Sequence, residues 1–107
     1  MYAFILKAKI KRLDKQYGEI TALIKRLAIE KYGCIDYIHC RDKHKEIVIS
    51  YWPSLTQIEA WQNDPRNHLA QQLGREKWYD SYEMETVKRI KAYKSNWLSK
   101  TVSSESL

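Results

Sequence analysis

The 107-residue chain has three glycines, two cysteines and no long apolar segment, and each shortage excludes a class of protein. No apolar run approaches the ~20 residues of a membrane-spanning helix, so we expect no membrane association. The few glycines leave no phosphate-binding loop, and CxxC, HExxH and nucleophile-elbow motifs are missing. The N-terminal run MYAFILKAKIKR places its basic residues after the apolar ones, the reverse of a secretory signal, which favours a cytoplasmic location.

The cysteines and the charged residues also point away from several functions. Cys34 and Cys40 fall on one predicted strand, roughly 20 Å apart, too far for a disulfide within it, and so fit a reducing compartment. The net charge of +6 is scattered along the chain, so nucleic-acid binding is not expected. His39 and His44 flank a predicted turn without a Cys or carboxylate pattern at metal-ligand spacing, and we expect no metal site.

Hydrophobic periodicity divides the chain into alternating strands and helices. Alternation with period two predicts strands, and recurrence at three and four residues predicts helices. Asp14, Ser54 and Asp64-Pro65 are helix-start signals, and Gly33 and Gly74 are stop signals. The predicted elements are strands over 2–11, 34–41, 46–52 and 81–90, a helix over 14–32, and a second helix broken into two pieces over 54–74.

This order, β-α-β-β-α-β, predicts an α+β, ferredoxin-like fold with a four-stranded antiparallel sheet and helices on one face. We expect a single domain over residues 1–94 and a flexible serine-rich tail over 95–107. In the last strand, Tyr82, Met84 and Ile90 are predicted to share one side. The other sheet face is partly apolar, which predicts a homodimer formed by sheet-on-sheet packing.

The second half of the chain contains ISYW followed by a helix, Trp61, His68 after a short break, Ala70-Gln71, Gly74 and Trp78-Tyr79. In these features it resembles antibiotic biosynthesis monooxygenase domains. The resemblance is strong over residues 46–93 and only a matter of pattern over 1–45. It implies a dimeric α/β barrel with a pocket in each subunit between the sheet and the second helix. The wider superfamily includes oxygenases that oxidise phenolic polycyclic substrates without metal or flavin.

Candidate site residues come from this same stretch. His68 is a candidate general base that takes a proton from a phenol or quinol, since deprotonated electron-rich aromatics react directly with oxygen, and Trp61 is its catalytic companion. A surface histidine and a core tryptophan are the competing interpretations. The residues predicted to bind an aromatic substrate are Tyr51, Trp52, Asn63, Arg66, Trp78 and Tyr82; sheet core or surface solvation is the alternative for each.

These features predict a small cytoplasmic monooxygenase that oxidises a planar phenol or quinol without a cofactor and has itself and a small aromatic ligand as partners. The alternative is a non-catalytic, ligand-binding or stress-related homodimer. Haem degradation is a weaker match: Trp61 fits, but Gln71 stands where those relatives have an iron-ligating histidine, and the first strand has no asparagine. An RNA-binding domain of the same element order would need an aromatic motif that the strand KEIVISYW lacks.

Overall fold

A computed structural model describes residues 1–95, which form a four-stranded antiparallel sheet with helices packed on one face. The strand order is β2-β3-β1-β4, and the second helical region consists of two helices and a π-helical turn. The predicted α+β, ferredoxin-like class is therefore confirmed. The elements are β1 (Tyr2–Ile10), α1 (Lys15–Glu30), β2 (Asp36–Asp42), β3 (Lys45–Trp52), α2 (Leu55–Gln62), α3 (Pro65–Leu73), the π-helical turn (Gly74–Trp78) and β4 (Tyr79–Lys88).

The two central strands place alternate side chains on opposite faces of the sheet. Phe4 pairs with Ser50 and Leu6 with Val48, and this face lies under the helices. The odd-numbered residues of β1 and β3 form the opposite, outer face, because successive side chains of a strand alternate. The outer face therefore carries Ile47, Ile49 and Tyr51 of β3 together with residues of β1, β2 and β4.

The predicted helix boundaries rest on capping contacts that the structure contains. The Asp14 carboxylate accepts a hydrogen bond of 3.0 Å from the Tyr17 backbone N–H, and Ser54 and Asp64 cap α2 and α3 in the same way. Gly33 follows α1 with φ +84°, where a Cβ atom would lie 2.3 Å from Gln57 Nε2. These start and stop predictions are confirmed, and Gly33 is required for its conformation and for the close approach of Gln57.

The end of the chain differs from the prediction in two details. β4 begins at Tyr79 and ends at Lys88, so Ile90 lies beyond the strand and is 94% exposed instead of sharing a side with Tyr82 and Met84. Gly74 follows the last residue of α3 but keeps right-handed helical angles, and the chain continues into the π-helical turn. A glycine fits there because an added Cβ would lie 2.9 Å from the Tyr79 ring.

In the described part of the chain, the interior contains two hydrophobic clusters. The larger cluster lies between the sheet, α1 and α2, and the smaller one consists of Tyr17, Leu73 and Trp78. Ile20 packs against both. Apart from Ser95, the predicted tail over 95–107 lies outside the described residues. Within residues 1–95, no helix has both the length and the hydropathy to cross a membrane. Buried members of the larger cluster are Phe4, Ile24, Leu27, Ala28, Cys34, Trp52, Ile58 and Trp61.

Candidate functional site

A cavity of about 90 Å³ lies between the helix-facing side of the sheet and the helices, with walls from both hydrophobic clusters. It is partly open to solvent, and its lining is mostly apolar. A concave apolar site with a few polar groups is the usual form of a small-molecule site. The aromatic part of the wall consists of Phe4, Tyr37, Trp61, Trp78, Tyr79 and Tyr82.

Trp61 forms a rigid part of the wall. Its indole N–H donates a 3.1 Å hydrogen bond to the Ile24 carbonyl, and its side chain is buried. Trp52 packs against it with 5.1 Å between ring centroids, and Phe4 meets it edge-on at 5.4 Å. The edge-to-face geometry is one that aromatic pairs prefer. Trp61 is therefore both a core residue and a cavity residue.

Trp78 forms another part of the wall and is held by a hydrogen bond to the N-cap of α1. It closes the π-helical turn, and its indole N–H donates a 3.0 Å hydrogen bond to the Asp14 carboxylate that caps α1. Tyr17 meets its ring edge-on at 5.2 Å. One carboxylate thus joins the start of α1 to the start of β4.

A buried carboxylate lies at the cavity wall among the hydroxyl and imidazole groups. Glu46 is 1% exposed and lines the cavity together with His39. Its Oε2 accepts a hydrogen bond from the Tyr17 hydroxyl and contacts His39 Nε2, and these two partners lie 3.1 Å from each other. Within residues 1–95, no group makes a hydrogen bond of normal geometry to Glu46 Oε1, although Tyr79 lies nearby. The Glu46 cluster, as we call Glu46, His39, Tyr17 and Tyr79, is the main polar feature of the sheet side.

The Glu46 cluster holds its protons in a defined arrangement. Burial disfavours the charged form of Glu46, but hydrogen bonds from His39 and Tyr17 outweigh it and hold the pKa of this carboxyl below its ordinary value. Burial, and then the neighbouring Glu46 carboxylate, raise the pKa values of Tyr17 and Tyr79. At neutral pH the cluster therefore contains an ionised carboxylate and neutral phenols.

Amide side chains line the cavity from the helices. Asn67 is buried and donates a 3.0 Å hydrogen bond to the Trp61 carbonyl. Gln71 donates to Asn67 Oδ1 and to the Gln62 carbonyl, at 3.2 Å in each case. Gln62, Asn67 and Gln71 thus join α2 to α3 across the Asp64-Pro65 break. Among residues 1–95 there is no group of three or more His, Cys, Asp or Glu side chains placed to hold a metal ion.

Some of the predicted site residues lie at this cavity. Trp61, Trp78 and Tyr82 line it. Trp52 is fully buried beneath Trp61 and donates a 2.8 Å hydrogen bond from its indole to Ser50 Oγ. Tyr51 lies on the outer face of the sheet, where the Arg89 guanidinium carbon is 5.7 Å from its ring centroid.

The other predicted site residues lie on the helix surface. His68 is exposed on α3 and does not line the cavity. Asn63 is the exposed C-cap of α2. Arg66 forms two side-chain hydrogen bonds of 2.9 Å with Asp64, which is buried and also accepts a 2.7 Å bond from the Tyr32 hydroxyl. Through this pairing Arg66 stabilises the start of α3.

Sequence reasoning did not identify the Glu46 cluster. A signal was present, because Glu46 shares the inward side of its strand with Val48 and Trp52, and an acidic residue in a core register needs partners. The partners could not be read from the chain. His39 and Tyr17 come from two other elements, and the fold alone brings them to Glu46.

Comparison with known proteins gives one sequence relative and many structural ones. No family model matches the chain. The uncharacterized protein YqjZ of Bacillus subtilis is 30% identical over 88 residues, which cover 81% of this chain and 77% of YqjZ. At this identity and coverage the two chains are homologous over most of their lengths.

The structural relatives share the fold at much lower identity. A mutant of SnoaB, a cofactor-independent oxygenase from Streptomyces nogalater, superposes with a TM-score of 0.71 at 10% identity, covering 85% of this chain and 94% of SnoaB. A putative antibiotic biosynthesis monooxygenase from Nitrosomonas europaea superposes with a TM-score of 0.68 at 14% identity, covering 85% of this chain and all of that one. Likeness at this identity concerns the fold, while the chemistry has to come from the site.

Proposed function

Since this chain belongs to the same protein family as YqjZ of Bacillus subtilis and has the fold of antibiotic biosynthesis monooxygenases, we propose that it is a small monooxygenase that oxidises a planar phenol or quinol without metal or flavin. The observation that carries the proposal is the aromatic cavity with an ionised carboxylate at its wall. Flat aromatic walls suit a flat ligand, and the Glu46 cluster supplies acid–base groups.

The size of the cavity narrows the substrate to a single ring. A cavity of about 150 Å³ holds benzene, so 90 Å³ falls short of one ring. Tyr82 and Met84 line the cavity from β4 and are 38% and 43% exposed, so they are free to move aside for one ring. A polycyclic substrate or a haem would require the tryptophan walls to separate as well. His68 is not used in this proposal.

The chemistry balances with dioxygen as the oxidant and the substrate as the source of electrons. Loss of the phenolic proton gives an electron-rich phenolate, which reacts with dioxygen. One oxygen atom enters the ring and the other leaves as water, so a hydroquinone becomes a hydroxyquinone. The protein binds the ring, limits the access of water and removes the proton.

Oxygen uptake with a panel of hydroquinones and phenols tests this function. Ala70 on α3 lines the cavity, whereas Ala60 on α2 is exposed, so Ala70→Leu and Ala60→Leu make the same change inside and outside the site. We expect uptake by the natural chain and by Ala60→Leu, and a loss of about tenfold or more in Ala70→Leu because the leucine occupies the ring's space. Equal rates in the two variants would remove the cavity from the reaction. Ligand binding and thermal stabilisation without uptake would instead indicate the non-catalytic module.

We also propose that two copies pack through their outer sheet faces, in the reducing environment of the cytoplasm. Ile38 and Ile47 are each 41% exposed on this face and Val87 is 38% exposed, with Ile49 half-buried among them. Adjacent exposed aliphatic side chains on one sheet face are a typical self-association surface. The exposed thiol of Cys40 on the same face suits a reducing compartment.

Analytical ultracentrifugation of two lysine variants tests the dimer. Ile47→Lys places a charge in the outer face, and Ile29→Lys places the same charge at an exposed apolar position on α1. We expect the first variant to be monomeric and the second to sediment as the natural dimer. A dimer that survives Ile47→Lys would place the interface elsewhere.

A further inference from the structure

One oxygen of the Glu46 carboxylate is occupied by protein groups and the other is not. Oε2 is shared by Tyr17 and His39, while no hydrogen bond of normal geometry reaches Oε1 within residues 1–95, although Tyr79 lies nearby. Since the residue is 1% exposed, bulk water does not reach it freely. A buried carboxylate oxygen without a partner is unfavourable, and a hydroxyl group in the adjoining cavity would supply the missing hydrogen bond.

We propose that Glu46 binds the hydroxyl group of the aromatic substrate through Oε1 and then takes the proton that this hydroxyl releases. The inference rests on the function proposed above. It adds the chemical group by which the substrate is recognised and the route by which its proton leaves.

Glu46 takes the proton because its partners already hold theirs. The Tyr17 hydroxyl and His39 Nε2 both lie against Oε2, and while the carboxyl is ionised each donates a hydrogen to it. When the substrate O–H bond breaks, its electron pair stays on the phenolate oxygen and the proton moves to Oε1. The carboxyl becomes neutral, so the phenolate does not face a second negative charge. Dioxygen then oxidises the phenolate.

The charge around Glu46 determines which hydroxyaromatics fit. Facing it are Tyr17 from α1, His39 from β2 and Tyr79 from β4, and its pair on β1 is Ala8. Among the described residues that line the cavity, none is lysine or arginine. The guanidinium of Arg41 instead lies over the Tyr17 ring, 5.4 Å from its centroid. An anionic substituent would therefore meet the carboxylate without compensation, and the site selects neutral phenols and hydroquinones over carboxylated ones.

Binding of phenol and of toluene, measured by calorimetry on the full chain, tests the role of Glu46. The two ligands have nearly the same size and differ in a hydroxyl against a methyl group. We expect the natural chain to bind phenol at least tenfold more tightly than toluene, as for a hydrogen bond to a charged acceptor. Glu46→Gln should reduce this preference at least fivefold with toluene affinity unchanged. Glu59→Gln, an exposed change on α2 outside the cavity, should keep it.

Oxygen uptake by Glu46→Gln tests the proton transfer, because glutamine keeps the size of the side chain but cannot take the proton. We expect kcat for the hydroquinone to fall at least tenfold, since a positioned acid–base group typically contributes more than that. An unchanged kcat would overturn the role of Glu46 as the proton acceptor.

The failures of the two proposals are distinguishable. If the natural chain binds phenol and toluene equally well, and Glu46→Gln does the same, Glu46 does not recognise the hydroxyl, but the cavity remains an aromatic site. If the natural chain binds neither ligand, both proposals fall. Phenol preference without any oxygen uptake would overturn the oxygenase function and the proton transfer to Glu46, while the binding role of Glu46 would stand.

Discussion

The substitution Tyr17→Phe removes a single oxygen atom from the Glu46 cluster and leaves the packing intact. The ring of Tyr17 is 6% exposed and meets Trp78 edge-on, contacts that phenylalanine retains. The variant loses the hydrogen bond from the hydroxyl to Glu46 Oε2. A hydrogen bond to a charged partner contributes about 1.5–3 kcal/mol, so we expect the free energy of unfolding to fall by about 2 kcal/mol. For a domain of this size the midpoint of thermal unfolding should drop by roughly 10 °C.

The loss should depend on pH with a definite sign. In the natural chain the Glu46 pKa is lowered on folding, so the stability that this group contributes is present above the pKa of an unfolded glutamate, about 4.3, and is lost as the pH falls below it. Without Tyr17, burial is opposed by fewer hydrogen bonds and the pKa rises. The difference between the two chains is therefore full at pH 7 and shrinks as the variant's carboxyl becomes protonated.

Urea unfolding at pH 7 and near pH 4 measures both effects. Tyr37→Phe is the matched control, because Tyr37 is a half-buried tyrosine that lines the cavity and its hydroxyl makes no hydrogen bond within the described part of the chain. The control should change stability by about 0.5 kcal/mol or less. Equal losses in the two variants, or a Tyr17→Phe loss that does not vary with pH, would refute the reasoning about the Glu46 cluster.

Three further substitutions test the fold and its acid sensitivity. Gly18 lies in α1 with open space around it, so Gly18→Ala should raise the free energy of unfolding by about 0.5–1 kcal/mol. Gly33→Ala should lower it by about 1 kcal/mol or more, since φ is positive and the end of the Gln57 side chain would also have to move; thermal unfolding compares the pair. The pKa of Asp64 is held well below its ordinary range by hydrogen bonds from Arg66 and Tyr32, so its contribution is present above about pH 4 and lost below it. Asp64→Asn should therefore be less stable at pH 7 and approach the natural chain in acid; parallel pH profiles of urea unfolding would contradict this.

The fold was predictable because local signals and hydrophobic periods agree along most of the chain. The alternation over residues 2–10 corresponds to a strand in the structure. The caps Asp14, Ser54 and Asp64 each accept a hydrogen bond from the backbone of the helix that they begin. The segment after α3 was harder. Gly74 is read as a stop from sequence, yet its conformation is helical and its small size serves the Tyr79 ring, a contact between residues that periodicity does not relate.

The candidate site was predictable only where it overlaps the core. Trp61 and Trp78 are large aromatics on inward faces, and such residues form both cores and walls. His68 and Arg66 attracted attention by residue type, but a side chain's chemistry does not reveal its direction, and both lie on the helix surface. Glu46 and His39 acquire their arrangement from strand pairing across the hairpin, where His39 stands opposite Val48. Such tertiary neighbours follow from register and are absent from any single motif.

The two hydrophobic clusters have different consequences: the larger one stabilises the fold, and the smaller one bears on how a ligand enters the cavity. The larger cluster joins the central strands to α1 and α2, whereas the smaller one joins Tyr17, Leu73 and Trp78 near the ends of their elements. Local opening of the smaller cluster would let a ligand enter the cavity while the larger cluster stays folded. Amides around the π-helical turn should then exchange their hydrogens sooner than those of β1 and β3.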